Sequence, residues 1–398
     1  MQPLTLSVVQ SLQSVNSAEW DALDHAPSPF LEWAFLRAAE LTDSIGERAG
    51  WRPFYLLLRA GEAPDGEEAE FDPGTLLGAV AAFVKDHSQG EYIFDFQWAN
   101  ASHEAGLPYY PKLVVAAPVT PATGRRILLA RGLEDSMRQA VAKALISAVR
   151  ELSKELGCRS THWLFITEEE ASWLKDAGFI SRSSLQFHWR NRGYESFDDF
   201  LSQMSSRKRK KFKRERNKVH EQIDSLRWLE GEEIDEPALD SIWSFYSHTT
   251  DTHWGRAYLQ EGFFHHLARL APHRMRLIVV DQGGETVAGA MLMETDHALY
   301  GRYWGCNREV DCLHFETAYW AGIERCIQKG TPLFEAGAQG EHKLLRGFEP
   351  SLCRSAHELH HPGLARAIHD FCRREAVAVQ RQIEGLAAYG PYRKGEVQ

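Results

Sequence analysis

The chain has 398 residues, 43% of them hydrophobic and 25% charged, with a formal net charge of −10 and a pI near 6.0. That length exceeds what one hydrophobic core usually fills, so two domains of about 200 residues each are expected. The acidic balance excludes an overall nucleic-acid or membrane footprint, and no apolar run approaches the roughly 18 residues that a membrane span needs.

The first ten residues, MQPLTLSVVQ, lack a positive region followed by a long apolar run, so no leader peptide is expected. The segment to residue 50 reads as a strand followed by helices, with Ser28-Pro29 a helix start before PFLEWAFLRAAEL. Trp51–Arg59 and Thr75–Lys85 read as paired strands, joined by an acidic, Gly- and Pro-rich exposed loop. Residues 90–119 alternate aromatic clusters with turns. After PATGRR, the apolar spacing Met137, Val141, Leu145, Ala148, Leu152, Leu156 predicts an amphipathic helix capped by Gly157. Thr161–Thr167 reads as a strand, EEEASWLKDAG as a short acidic helix and Phe179–Arg190 as another strand, so this half is α/β with a mixed sheet.

The second half begins near Gly193, giving expected domains 1–192 and 193–398. Phe197, Phe200, Leu201, Met204, Phe212 and Val219 form a helical stripe, with Arg207–Lys218 (nine basic residues in twelve) between them. Helical patterns at 236–249 and 258–270 precede the strands Met275–Asp281 and Thr286–Glu294, joined by a QGGE turn. Ala298–Trp304 is a third strand, and a helix spans roughly 312–329 with Gly330 as its cap. Leu333–Pro350, LFEAGAQGEHKLLRGFEP, begins as a buried strand, breaks on glycine and delivers Glu341, His342, Lys343 and Arg346 within six residues. A strand near 352–359 and a helix from about Gly363 to Leu386 close the pattern. Both halves share one order of parts without a residue-level repeat. Six cysteines (Cys158, Cys306, Cys312, Cys326, Cys353, Cys372) form no CxxC pair, as expected of reduced thiols in a cytoplasmic protein.

The segments SPFLEWAFLRAAE, FDFQWAN, GLPYYPKL, PVTPATGRR, SSRKRKKFKRER, WGRAYLQEGFF, HFETAYWAGIERCI, FEAGAQGEHKLLRGFEP and HELHHPGLARAI together resemble the FemAB-like N-acyltransferases of the GNAT superfamily, over about residues 28–375. The resemblance implies tandem GNAT-like domains, each a mixed, mostly antiparallel sheet flanked by helices. It also implies kinship to the Fem peptidyltransferases, which move an aminoacyl group from a charged tRNA onto a peptidoglycan precursor.

N-acyl transfer needs a polarised carbonyl, a base for the acceptor ammonium and an anchor for the donor's charged handle. In a GNAT-like sheet the acyl arm enters between two splayed strands, by pattern Ala298–Trp304 and Leu333–Ala338. Glu335 is a carboxylate in an apolar strand, where desolvation raises a pKa toward that of a useful base; the alternative is a structural glutamate paired with Arg302. His342 is the other base candidate, and Tyr303 either acts as an acid, or orients a substrate, or is a core aromatic. Lys343 and Arg346 are candidate grips for a phosphate or carboxylate. Arg302, Gly337, Gln339, Gly340 and Glu341 complete the expected substrate-binding set.

The coenzyme A loop of a GNAT enzyme belongs at about 305–313, where GCNREVDCLHF lacks the required glycines; this favours a Fem-like donor. The matching place in the first half holds Thr123, Gly124, Arg125 and Arg126, either a phosphate cradle or a plain turn. Asp95, Trp98, Tyr109, Tyr110 and Lys112 lie near it in sequence and extend that candidate site. Arg207, Lys208, Arg209, Lys210, Lys211, Lys213 and Arg214 read either as a landing strip for RNA phosphates or acidic headgroups, or as a solvated helix face. His357-Glu358-Leu359-His360-His361 matches a zinc-protease string, but Pro362 and the strand-like context argue against the helix that motif requires.

The expectation is an enzyme, a cytoplasmic two-domain N-acyltransferase without a tightly bound cofactor. Acyl-CoA or aminoacyl-tRNA is its co-substrate, and a small amine or peptidoglycan precursor its acceptor. An acyl-CoA-dependent transferase on a small amine and a non-catalytic cleft-binding protein are the alternatives. The sequence leaves the oligomeric state open.

Overall fold

A computed structural model describes residues 2–62, 69–253, 257–337 and 340–392, and the chain divides into two units. The first comprises Met1–Ser184 with Cys353–Val379, the second Leu185–Leu352 with Gln380–Gln398. The units interleave: a segment that follows the second unit in sequence joins the first, where sequence order places it within 193–398.

In the first unit the elements are β1 (Leu4–Val9), α1 (Ser17–Asp21), α2 (Trp33–Leu41), β2 (Arg52–Ala60), β3 (Leu76–Lys85), α3 (Phe96–Glu104), β4 (Lys112–Val115), β5 (Leu128–Leu129), α4 (Asp135–Glu155), β6 (Ser160–Ile166) and α5 (Glu168–Asp176). β7 (Ile180–Arg190) carries the chain into the second unit. Strands β1 to β4 pair antiparallel in that order, and β4 then runs parallel to β6. β2 and β3 are buried almost throughout because both faces are covered, so they read as continuous apolar runs rather than alternating ones. Val141 and Leu145 of α4 close one face, while Tyr55 of β2 donates to Glu40 of α2 (2.7 Å) on the other. Residues 96–104, which read as aromatic turns, form α3. Within it only Trp98 and Ser102 are buried, too narrow a stripe to show a helical period.

The second unit contains α6 (Phe197–Ser202), α7 (Ser206–His220), β8 (Ser225–Glu230), α8 (Glu236–His253), α9 (Phe263–Leu270), β9 (Met275–Gln282), β10 (Glu285–Glu294), β11 (Ala298–Cys306), α10 (Leu313–Phe315), α11 (Ala321–Lys329) and β12 (Leu333–Glu335). Its strands order as β7-β12-β11-β10-β9-β8. β8 is a half-buried edge strand whose short, mixed sequence SLRWLE gives little period-2 signal. The expected helix over 312–329 is interrupted: a π-turn, Glu316–Trp320, separates α10 from α11. β13 (Glu349–Leu359) and α12 (Pro362–Ala387) follow, and from Cys353 to Val379 they belong to the first unit, where β13 pairs with β6.

Candidate functional site

The second unit's sheet opens between β11 and β12. These parallel strands pair only at Ala298↔Leu333, Leu299↔Phe334 and Tyr300↔Glu335; β12 then ends while β11 runs on to Cys306. β11 carries a bulge at the same level, Met291↔Tyr303 being followed by Leu292↔Gly301, so that Arg302 is the extra residue. Bulges of this kind re-aim side chains and end pairing beside functional sites. The opening is a cavity of about 350 Å³ walled by β10, β11, the π-turn and the loop after β12.

Tyr319 and His342 meet in this cavity, phenol oxygen to Nε2 at 2.7 Å. The π-turn aims Tyr319, and such turns recur at functional sites because one extra residue per turn redirects a side chain. His342 is placed by Gly340, whose φ is +118°. A Cβ there would come within 2.6 Å of the imidazole, so the loop needs glycine. Burial, then Arg346 and Lys343, lower the pKa of His342 below its ordinary value, which leaves it neutral and basic near pH 7. Burial pushes Tyr319 up to about 12 against the influence of Arg346, so it remains a phenol. His314 stands beside them, edge-on to Trp304 (4.7 Å) and Tyr319 (5.5 Å), held neutral by burial that brings its pKa down to about 4. Trp304 Nε1 donates to Thr317 Oγ1 (2.6 Å), and that hydroxyl bonds the Leu313 carbonyl.

The cations named from the sequence support this cavity rather than grip a ligand. Lys343 is 1% exposed and donates to the Gly337 carbonyl (2.6 Å), tying the His342 turn to the end of β12. Burial lowers its pKa to about 7 despite the nearby Glu335 carboxylate. Arg346, 4% exposed, lies 3.4 Å over the Phe315 ring, donates to the His342 carbonyl (3.1 Å) and pairs with Glu215 (3.4 Å). Glu335 is buried outside the cavity wall, 3.9 Å from His188. That imidazole is neutral, since burial, Arg190 and Lys343 take it down to about 3. The position makes Glu335 a buried companion of Lys343 instead of a base facing substrate. Arg302, Tyr303 and Gly337 line the cavity, yet the Tyr303 ring packs on Tyr246 (4.9 Å) and Phe264 (5.6 Å), the core placement. Gln339 and the Glu341 side chain lie outside the described residues. His314, Thr317 and Tyr319 were not singled out from sequence; the one trace of them was HFETAYW, an aromatic-rich start to a helix.

The first unit treats its equivalent opening differently. β4 and β6 pair over Leu113–Val115 and Thr161–Trp163, and the gap beyond is filled by the Thr123–Arg126 corner. Arg126, 0% exposed, donates through Nε to the Leu164 carbonyl (2.9 Å) and through NH2 to Ala122 (2.7 Å), while the Gly124 N–H reaches the Phe165 carbonyl (3.1 Å). Arg125 pairs with Asp24 (2.8 Å) and Glu169 (2.7 Å). These donors are committed to protein acceptors, so the corner is a plug and not an open phosphate cradle. Asp95, Trp98, Tyr109, Tyr110 and Lys112 do come together, but as a buried network. Lys112 Nζ bonds Ser88 and Glu91 (2.8 Å each) and pairs with Asp95, and Tyr109 also donates to Asp95 (2.6 Å). Tyr110 meets Ser88 (2.8 Å), and Trp98 stands edge-on to His357 (4.9 Å). Lys112 and His162 overcome the effect of burial on Asp95 and bring it down to about 2. His357, Glu358 and Leu359 lie on β13, paired with β6, and the strand ends before the last two residues, so the zinc-protease string does not form a helix.

On α7, Arg216 forks onto Glu316 and Glu324 (2.7 Å each), Lys213 pairs with Asp198 (2.7 Å) and Lys218 with Asp311. Arg207, Lys210, Lys211 and Arg214 recur at three- and four-residue spacing on one exposed face, with Lys208 and Arg209 half-buried beside them. Lys211 meets Glu215 (3.5 Å), and the other three have no ion-pair partner among the described residues.

FemX is 11% identical and covers 91% of this chain, the match covering 100% of that chain, with a TM-score of 0.51. A conserved protein of unknown function from Bacteroides thetaiotaomicron is 10% identical over 90% of this chain and 99% of its own, with a TM-score of 0.49. A tandem GNAT protein from the clavulanic acid biosynthesis pathway is 12% identical over 90% and 99%, with a TM-score of 0.41. No curated protein sequence matches significantly. The fold is thus FemX-like, with mixed, mostly antiparallel sheets flanked by helices. The family model described as peptidoglycan biosynthesis/recognition matches residues 11–394, and the chain belongs to that FemAB-like family.

Proposed function

We propose that the second unit is the transferase centre of an N-acyltransferase that moves an aminoacyl group from charged tRNA onto the amine of a peptidoglycan precursor. The observation that carries this reading is the opening between β11 and β12, with the Tyr319–His342 pair inside it. In the proposed step the acceptor amine nitrogen attacks the ester carbonyl. The Tyr319 oxygen takes the amine proton as its own passes to His342 Nε2. Collapse breaks the bond from the carbonyl carbon to the ribose oxygen, and the histidine proton goes to that leaving oxygen. Neutral His342 and protonated Tyr319 are the forms this relay requires. Family membership supports the acceptor class, and the exposed α7 cations favour a polyanionic donor over coenzyme A.

The test supplies one amine-bearing precursor with either charged tRNA or acetyl-CoA and follows amide formation by mass spectrometry. Product from tRNA, at least tenfold faster than from acetyl-CoA, is expected. Product from acetyl-CoA alone would replace the donor assignment, and no product from any acyl donor would remove the transferase reading.

A further inference from the structure

Behind the turn that carries His342 lies a second cavity, of about 400 Å³, built entirely within the second unit. Leu344 faces it from the turn Glu341–Arg346, while His342, two residues earlier, faces the transfer cavity. Its apolar walls are Leu344, Pro350, Ile383 and Ala387, and two tyrosines, Tyr194 and Tyr392, flank them. Tyr392 is fixed in place, because its hydroxyl donates to the Gly347 carbonyl (2.8 Å) and its backbone bridges to Met204. The size and the mostly apolar lining with a few convergent polar groups are those of a small-molecule site.

The polar groups specify the ligand's head. Arg192 and Glu349 neutralise one another at 2.6 Å. Asp199 accepts from the Glu195 N–H (3.2 Å), and no cation pairs with it among the described residues. The lining therefore carries one uncompensated negative charge beside an apolar chamber. We propose that this cavity is a ligand site separate from the transfer cavity, taking a small amphiphile with an aliphatic or aromatic body and a single cationic amine head. The amine sits against Asp199, and the body fills the space between Tyr194, Leu344 and Ile383. The proposal does not rest on the transferase reading, because it concerns binding alone.

The experiment titrates the full chain with n-octylamine, n-octanol or octanoate in a calorimeter. Saturable octylamine binding is expected, at least tenfold tighter than that of either the alcohol or the acid. Asp199→Asn keeps an acceptor oxygen for the Glu195 N–H and should abolish that preference. Ala387→Trp, at an exposed position on the cavity wall, should remove binding of all three probes without changing the melting temperature. Absence of saturable octylamine binding, equal binding of octanoate, or octylamine binding that survives Ala387→Trp would each overturn the assignment.

Discussion

His342 owes its chemistry to neighbours that are themselves barred from substrate. Desolvation within the cavity lowers the proton affinity of the imidazole most, and Arg346, stacked on Phe315, and Lys343, bonded to Gly337, add positive charge that lowers it further. The sign of the resulting pH dependence follows. The base form is neutral, so turnover falls as pH drops through the folded pKa, and a lowered pKa puts that acid limb below the ordinary histidine value. Arg346→Met keeps an apolar stem over the ring and removes the charge. It should move the limb of the kcat profile up toward 6.5; an unmoved limb would mean that another group titrates. At this scale the sequence was half legible. A histidine and two cations after a glycine break marked the place. That Lys343 and Arg346 would turn inward depended on burial by Phe315 and the Gly337 carbonyl, which no local pattern records. Tyr319 was hidden for a similar reason: its ring falls in the apolar stripe of the helix and packs in the core, and only the contact of its hydroxyl with His342 marks it.

Elements with a strong period or an unbroken apolar run were readable, the α4 stripe by its period and the paired strands β2 and β3 by their continuous apolar runs. Those whose burial is narrow or interrupted, such as α3, β8 and the π-turn, were not. α7 shows why a charge run resists a single reading. Arg216, Lys213 and Lys218 are spent on carboxylates of the same unit, whereas Arg207, Lys210, Lys211 and Arg214 form a separate exposed stripe. If that stripe meets the donor's phosphates, replacing all four with Gln should weaken tRNA binding and lower the slope of log affinity against log salt by about 3, as counterion release requires. Filter binding between 50 and 200 mM salt, at about those limits, measures it. A slope identical to that of the parent chain would assign α7 to solvent exposure alone.

Across the whole chain, the tandem pattern was legible from the order of parts, while the interleaving of Cys353–Val379 with the first unit was not, since strand pairing between distant segments leaves no local trace. Both units bury neutral histidines. Burial takes His162 and His188 down to about 3 and His314 to about 4, from 6.5 in the unfolded chain. Groups whose folded pKa is depressed stabilise fully above 6.5, and that contribution is lost as pH falls toward about 4 for His314 and about 3 for the other two. His314 alone amounts to about 3 kcal/mol over the full window, at about 1.4 kcal/mol per pKa unit. That residue by itself should lower the melting temperature by about 5–10 °C between pH 7 and roughly pH 4.5, and the other two add to the fall. A flat profile would contradict the buried neutral assignments. The two β–β openings differ in one respect that carries the functional account: Arg126 plugs the first, and the second is a cavity lined by Tyr319 and His342. The most direct test is the single-turnover rate of amide formation in His342→Ala and Tyr319→Phe, each matched to the parent chain in melting temperature. A loss of about 10²-fold or more in each is predicted for a general acid–base pair, and parental rates in both folded variants would contradict it.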